Sequence, residues 1–295
     1  MSTVDLSALP APQVLETLDY EELYEEGMSA FREYMGDNWS APLESEPVVK
    51  LVELGAYGKM QNRARVNDAA KALMLAYAEK EDLDQLAANV KLQRLVIQPA
   101  NLLAVPPVEE VKESDDALRE RIQMVYEGLT TAGPRNSYIF HARNASGLVA
   151  DATAESPSPA VVEVTVLSLI GSGQADQPLL DAVRIKLSDD DIRPVGDRLI
   201  VQSAEILNYR IDAVLHMQGA GPENDAILAE ATKRLAAWIN PRKRLALEVA
   251  QSGVDAQLHI SGVGRVELRD WLDLRPTKFQ AAYCTGFSVV LGGST

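Results

Sequence analysis

One segment limits the folds open to this chain. Leu43-Glu44-Ser45-Glu46-Pro47 opens a helical pattern that runs to about Ala78, roughly 30 residues and well beyond an ordinary globular helix. Ser45 suits the N-cap, Pro47 an early helical position, and the carboxylates the positive end of the helix dipole. On a helical projection Val48, Val52, Val66, Ala70, Leu73 and Tyr77 share one face, widened by Val49, Ala56 and Met74. Leu51, Leu54, Tyr57, Ala64 and Leu75 lie elsewhere on the circumference. A helix apolar on several sides needs several neighbours. They are other elements of one domain or helices of other chains, and the pattern alone leaves both open. Lys59, Arg63 and Asn67 cut into the main face at four-residue spacing. Buried polar groups require partners, and in bundles they sometimes fix the register between chains. Gly55 and Gly58 bend such a helix or admit a close neighbour.

Composition closes several alternatives. The 295 residues carry 28 Lys+Arg against 43 Asp+Glu, a formal net charge of −15, which disfavours a polyanion-binding protein. A single cysteine, Cys284, excludes an intrachain disulfide framework and argues against a cysteine-based zinc or iron–sulfur site. No apolar run reaches membrane-helix length, and the first basic residue is Arg32, so no secretory leader is expected. The charge is uneven: residues 1–130 hold 24 acidic and 12 basic side chains, residues 131–295 hold 19 and 16.

Around the long helix, the Pro-containing stretch from Met1 to Pro12 reads as an extended arm. A helix with an acidic face is predicted from Gln13 to about Tyr34, followed by a loop from Gly36 to Pro42. Further helices are predicted through Leu86 and Ala87, from the Glu113-Ser114-Asp115-Asp116 cap through Leu118 to Leu129, and over Ser137–Asn144. Strands are predicted over Leu148–Ala154 and Val161–Ile170, with a turn at Ser156-Pro157-Ser158-Pro159. A helix over Pro178–Leu187, strands over Arg198–Ser203 and Glu205–Met217, helices over Pro222–Ile239 and Leu247–Leu258, and strands over Val263–Leu268 and Phe287–Leu291 complete the order. The expected fold class is α+β: an N-terminal long-helix bundle segment (1–98), a mixed middle segment (99–158), and a C-terminal α+β sandwich (159–295) with one sheet and helices on one face.

Residues with catalytic potential are scattered. His141, His216 and His259 share no helix turn, and no metalloprotease pattern links them. Gly171-Ser172-Gly173 lacks the third glycine of a dinucleotide fingerprint and the lysine of a phosphate loop. There is no nucleophile elbow around a serine, and the Asp189-Asp190-Asp191 run lacks calcium-loop spacing. Arg242-Lys243-Arg244 is the one tight basic cluster and is too short for nucleic acid. No catalytic group, metal site or cofactor is expected.

A set of short segments in order does point somewhere. They begin with Val4-Asp5-Leu6-Ser7-Ala8-Leu9-Pro10-Ala11-Pro12, Leu43-Glu44-Ser45-Glu46-Pro47, Arg63-Ala64-Arg65-Val66-Asn67-Asp68-Ala69-Ala70 and Met74-Leu75-Ala76. Next come Glu113-Ser114-Asp115, Arg119 to Ile122, Glu127-Gly128-Leu129, Ser156-Pro157-Ser158-Pro159-Ala160 and Val166-Leu167-Ser168. Arg193-Pro194-Val195, Asp197-Arg198, Val201-Gln202-Ser203-Ala204, Gly262-Val263 and Arg265-Val266-Glu267-Leu268 complete the set. In this order and over nearly the full length, the chain resembles the baseplate J-like family of contractile phage tails and R-type tailocins.

The resemblance implies a structural protein without enzymatic activity. It implies that two copies join one copy of a second baseplate protein as a wedge, and that six wedges ring the hub and gate sheath contraction. N-terminal helices would form a core bundle, a middle segment would knit the chains together, and the distal part would pair like chains. The implied partners are a second copy of the chain, the second wedge protein, and adjacent baseplate, hub and sheath-initiating proteins, with no nucleic acid and no membrane. Synthesis in the bacterial cytoplasm precedes incorporation into a virion or tailocin. Val48, Val52, Ala56, Lys59, Arg63, Val66, Asn67, Ala70, Leu73, Met74 and Tyr77 are the candidate interchain contacts. The rival readings are a tail-associated muralytic enzyme with a carboxylate dyad and a self-oligomerising tail adaptor.

Overall fold

The computed structural model describes residues 4–10, 12–36, 43, 45–130, 133–240 and 243–292. The expected loop from 37 to 42, Glu44 of the helix-opening segment and Arg242 of the basic cluster lie outside them. Two compact units divide the chain: residues 2–94 with 114–123, and residues 95–113 with 124–295.

The first unit is helical. Helix α1 (Tyr20–Met35) is capped by Asp19, whose Oδ1 accepts the Glu22 N–H at 3.2 Å, and it closes at Gly36 in a positive-φ conformation. The sequence pattern placed its start seven residues earlier. Those residues are not helical: Gln13 and Val14 form a turn closed by the Leu15 N–H on Pro12 O at 3.2 Å, and beyond it Asn67 takes up the backbone of Glu16, through the Glu16 N–H at 2.9 Å and its carbonyl at 2.8 Å.

Helix α2 (Pro47–Ala72) is 26 residues long, with Pro47 in the first turn and Glu46 rather than Ser45 at the N-cap. It stops at Leu73 instead of running on to Ala78. The chain then turns, and Arg119 donates to the carbonyls of Leu75 and Ala78, each at 2.8 Å. Helices α1 and α2 run antiparallel, since Glu16 meets Arg63 and Asn67 while Glu26 meets Lys59. Leu23 and Met28 of α1 and Val49 and Ala56 of α2 are buried. Gly27 permits the close approach, because a Cβ there would lie 3.1 Å from Val52 Cγ1.

Helices α3 (Lys80–Asn89) and α4 (Asp115–Met124) enclose a second core of Ala78, Leu83, Ala87, Leu118 and Ile122. The expected Ser114 cap is present, its hydroxyl accepting the Ala117 N–H at 3.3 Å. Arg94 clamps both helices, to Asp84 at 2.7 Å and to Asp115 at 2.8 Å.

The second unit begins with a short ladder of β1 (Val96–Gln98) and β2 (Val111–Lys112), extended by a bridge between Asn101 and Val108. Helix α5 (Arg135–Arg143) precedes two three-stranded sheets. In the first, β3 (Val149–Ser158) and β4 (Val161–Ser168) form an antiparallel hairpin turning at Ala160, with positive φ. Strand β3 therefore runs through the expected Ser-Pro turn as far as Ser158. Helix α6 (Gln177–Leu187) crosses over to β5 (Arg198–Ser203), which lies parallel to β4.

In the second sheet, β6 (Glu205–Met217) is central, antiparallel to β7 (Val263–Leu268) and parallel to β8 (Gln280–Leu291). Helices α7 (Asn224–Ile239) and α8 (Gln251–Leu258) cover one face, so that Ile211, Ala213, Leu215 and Met217 pack on Ala231, Leu235, Val254 and Leu258. The α+β class is as expected, but the single C-terminal sheet is two. Both edges of β6 are filled, by β7 and β8, so β5 pairs elsewhere. The handover falls at Ala204, where the Ala204 N–H bonds to Val166 O and the Glu205 N–H to Phe279 O. Helix α8 begins at Gln251, not Leu247, because Leu245 and Val249 are held in bridges to Ala281 and Leu274.

Candidate assembly interface

The residues singled out on the long helix fall on two different surfaces. Ala56 and Asn67 are buried, Val48, Val52, Arg63, Ala70, Met74 and Tyr77 half-buried, and Lys59, Val66 and Leu73 exposed. The polar trio has partners within the chain. Lys59 lies 3.7 Å from Glu26, Arg63 2.8 Å from Glu16, and Asn67 bonds the Glu16 backbone. The main face read from the sequence is thus split: Val52, Arg63 and Asn67 meet α1 and the segment before it, whereas Val66 and Leu73 stay exposed.

Over residues 51–58 the far side of α2 is apolar and uncovered in the chain as it stands, and further along Asn62 and Arg65 are exposed in the same sector. Leu51 and Leu54 are each 66% exposed, and Tyr57, Val66 and Leu73 are also exposed. With the glycines Gly55 and Gly58, the residues Leu51, Leu54, Val66 and Leu73 occupy a sector about 120° wide on the side away from Val49, Ala56 and Asn67, and Tyr57 lies about 60° beyond its edge. A Cβ at Gly55 or Gly58 would meet nothing within 4 Å. Helix interiors disfavour glycine, so two open glycines flanked by exposed leucines mark a surface where another backbone can come close. In the sequence, Leu51, Leu54 and Tyr57 were visible as apolar residues off the main face. What the sequence lacked was the knowledge of which face α1 takes.

A second exposed apolar feature is the tip beyond the β1–β2 ladder. Leu103 is 95% and Val105 98% exposed, and Leu102 is exposed beside them. The Asn101–Val108 bridge and the Asn101 side chain, which accepts the Leu103 N–H at 3.2 Å, hold this tip in shape. Its sequence signal is the proline-marked stretch from Pro99 to Pro107, which reads as a loop and hides the presence of three projecting aliphatic side chains.

The other candidates serve packing. His141 stacks edge-on against Phe140, and burial, with Lys186 nearby, lowers its pKa. His216 lies 3.2 Å from Glu267 and 2.9 Å from Arg265 on the second sheet. Cys284 is buried, which pushes its thiol pKa up, and its Sγ donates to Gly286 O. Lys243 donates to the carbonyls of Leu169 and Gly171 in the glycine-containing turn and sits over the Tyr283 ring. Arg244 approaches buried Asp151, whose carboxylate accepts the N–H groups of Ala152 and Leu245 at 2.9 and 3.0 Å. Among the described residues no helix is long and apolar enough to cross a membrane.

Known proteins supply the frame for these surfaces. Residues 44–101 match the model of the baseplate J-like N-terminal domain, and residues 130–203 that of the baseplate J-like central domain. Baseplate protein J of Escherichia phage P2 is 45% identical over 301 residues, covering 100% of this chain and 99% of that protein. Among solved structures, a chain of the cryo-EM structure of the anti-feeding prophage baseplate, 6-fold symmetrised, aligns at 13% identity with a TM-score of 0.39. That alignment covers 63% of this chain and 47% of the other. The full-length identity and the two domain matches together establish that the chain belongs to the baseplate J-like family, a structural protein of the phage-tail baseplate.

Proposed function

We propose that this chain is a wedge subunit of a contractile injection tail, in which two copies join one copy of a second baseplate protein and six wedges ring the hub and gate sheath contraction. The observation that carries the reading is the uncovered sector of α2. A helix that packs α1 on one side and leaves Leu51, Leu54 and Tyr57 exposed on the other is built for helices of further chains. Residues 1–98 supply the bundle arm, residues 99–158 the interchain segment, and residues 159–295 the part that meets a second copy. The exposed tip at Leu102, Leu103 and Val105 belongs to the interchain segment and offers an apolar plug to a neighbouring chain.

The interchain contacts of α2 in this reading are Val66 and Leu73 of the expected set, joined by Leu51, Leu54 and Tyr57. Lys59, Arg63 and Asn67 act one step behind, holding α1 and residue 16 in place beneath that surface. The chain is made in the bacterial cytoplasm and leaves the cell as part of the tail particle. It contributes shape and contacts rather than chemistry.

The test is co-expression with the second wedge protein, followed by mass measurement of the purified complex. A stable complex of two copies with one supports the wedge. A lone homo-oligomer would instead favour the self-oligomerising adaptor. Peptidoglycan hydrolysis by the purified chain, abolished by changing a single carboxylate, would favour the muralytic enzyme.

A further inference from the structure

Strand β8 forms one edge of the second sheet, and its two sides differ sharply. Its inner side pairs with β6 continuously, from Glu205 opposite Gln280 to Leu215 opposite Leu291. Among the described residues its outer side is engaged only at the start, where Leu245 bridges Ala281 and the Ala246 N–H bonds to Gln280 O. From Tyr283 to Leu291, no described backbone group pairs with that outer side. Open edges of this length template pairing with other chains, and proteins guard them with charge, proline or a covering element.

The opposite edge is guarded. Strand β7 presents Arg265 and Glu267, both exposed and paired with each other at 3.0 Å. Strand β8 has no such guard. No charged side chain and no proline follows Lys278 anywhere in the sequence, in a chain whose charged fraction is 24%. Phe287-Ser288-Val289-Val290-Leu291 is a β-forming run, with Phe287 and Val289 on the helix-covered face and Val290 44% exposed on the other.

We infer that the outer edge of β8, from about Tyr283 to Leu291, pairs with the same edge of a second copy of this chain. The two strands run antiparallel about a two-fold axis, so that two three-stranded sheets join into one of six. The occupant follows from the charge pattern. Antiparallel pairing about a two-fold axis sets the strand against its own reversed sequence, so charges of one sign along it would be gathered at the seam, and one at the axis would face its like. An uncharged edge is the composition such a pairing requires, whereas a foreign strand selected by charge would need complementary residues that β8 does not have. The inference rests on the reading that two copies of this chain meet in the wedge, and it names the element through which they meet.

The experiment uses the full-length chain, its Val290→Lys variant, and Ile185→Lys on exposed α6 as a control. Mass is measured across a hundredfold concentration range, with amide hydrogen exchange of 283–291 at both ends, and each chain is also co-expressed with the second wedge protein. The expected result is a dimer of the unaltered chain and of Ile185→Lys, with exchange in 283–291 slowed at high concentration. Val290→Lys should weaken dimerisation at least tenfold while keeping its circular dichroism and its binding to the second protein. An unaltered chain that stays monomeric, or a Val290→Lys chain that dimerises as before, overturns the inference. Protection of 283–291 that appears only with the second protein also overturns it, assigning the edge to a foreign strand and leaving the wedge intact. Failure of the unaltered chain to bind that protein at all counts against the wedge itself.

Discussion

The side chain of Asn67 spans the backbone of Glu16, its Oδ1 accepting the Glu16 N–H at 2.9 Å and its Nδ2 donating to the Glu16 carbonyl at 2.8 Å. The amide thus behaves like one residue of a neighbouring β-strand, and it fixes the extended segment ahead of α1 onto α2. The Glu16 side chain adds an ion pair to Arg63, one helical turn away on the same face. Asn67→Ala removes both bonds and leaves a part-buried peptide group unpaired. The expected loss is about 1–3 kcal/mol from the helical unit. Asn67→Asp should cost at least as much, because it deletes the donor and sets a second carboxylate near Glu16. Urea unfolding followed by circular dichroism, with hydrogen exchange at residue 16, measures both.

Gly55 and Gly58 separate chain stability from assembly. Each lies inside α2 with open space where a Cβ would be, so alanine is free to enter. Gly→Ala at either site should stabilise the isolated chain by about 0.5–1 kcal/mol through helix propensity alone. If a partner helix packs against this sector, the same methyl groups hold it off, and binding to the second wedge protein should weaken. A thermal melt of the free chain and a titration with the partner read the two effects separately. Stronger melting with unchanged binding would place the partner helix elsewhere.

Local structure was far easier to read from the sequence than pairing. Strands β5, β6 and β7 lie where alternation placed them, with Ile211, Ala213 and Leu215 inward. That β5 and β6 belong to different sheets was not legible, because it depends on β8, a parallel partner more than sixty residues downstream of β6. Parallel pairing leaves no turn signal in the sequence. The start of α1 was missed for a related reason, since the competing bond comes from Asn67, far along the chain. On α2 the apolar residues were all visible. Their division into a covered and an uncovered face was not, because a helix apolar on several sides does not say which neighbour is its own.

The carboxyl groups of Asp115 and Asp151 should respond oppositely to pH. Burial works against the charged form of Asp115, but the Lys80 N–H and Arg94 prevail and hold its pKa below the ordinary 3.8. Its contribution is therefore present above the ordinary value and lost as pH falls through the lowered one. Asp151 is raised by burial, against the pull of Arg244 and the Leu245 N–H. Its contribution is greatest at low pH and is lost as pH rises through the raised value. Acid should thus unfold the helical unit before the sheets. Hydrogen exchange at pH 3 and pH 7 resolves the two units, and Asp115→Asn should flatten the acid sensitivity of the first.

Salt dependence should distinguish the two halves of the sequence. Residues 1–130 carry 24 acidic against 12 basic side chains, while residues 131–295 carry 19 against 16. On α1, Glu21, Glu22 and Glu25 are exposed, so a bundle that buries the apolar sector of α2 leaves an acidic rim along α1, on the other side of α2. Such a rim meets basic partner surfaces or solvent, and screening beyond about 8 Å at 0.15 M salt acts on it directly. Binding to the second wedge protein should therefore change several-fold between 50 and 500 mM salt, mostly through the association rate. Pairing through uncharged β8 should hardly respond to the same change. Surface plasmon resonance with the partner and sedimentation of the chain alone, each across that salt range, compare the two. A salt-insensitive wedge would remove the acidic rim from the assembly surface, and a salt-sensitive homodimer would move the self-contact away from β8.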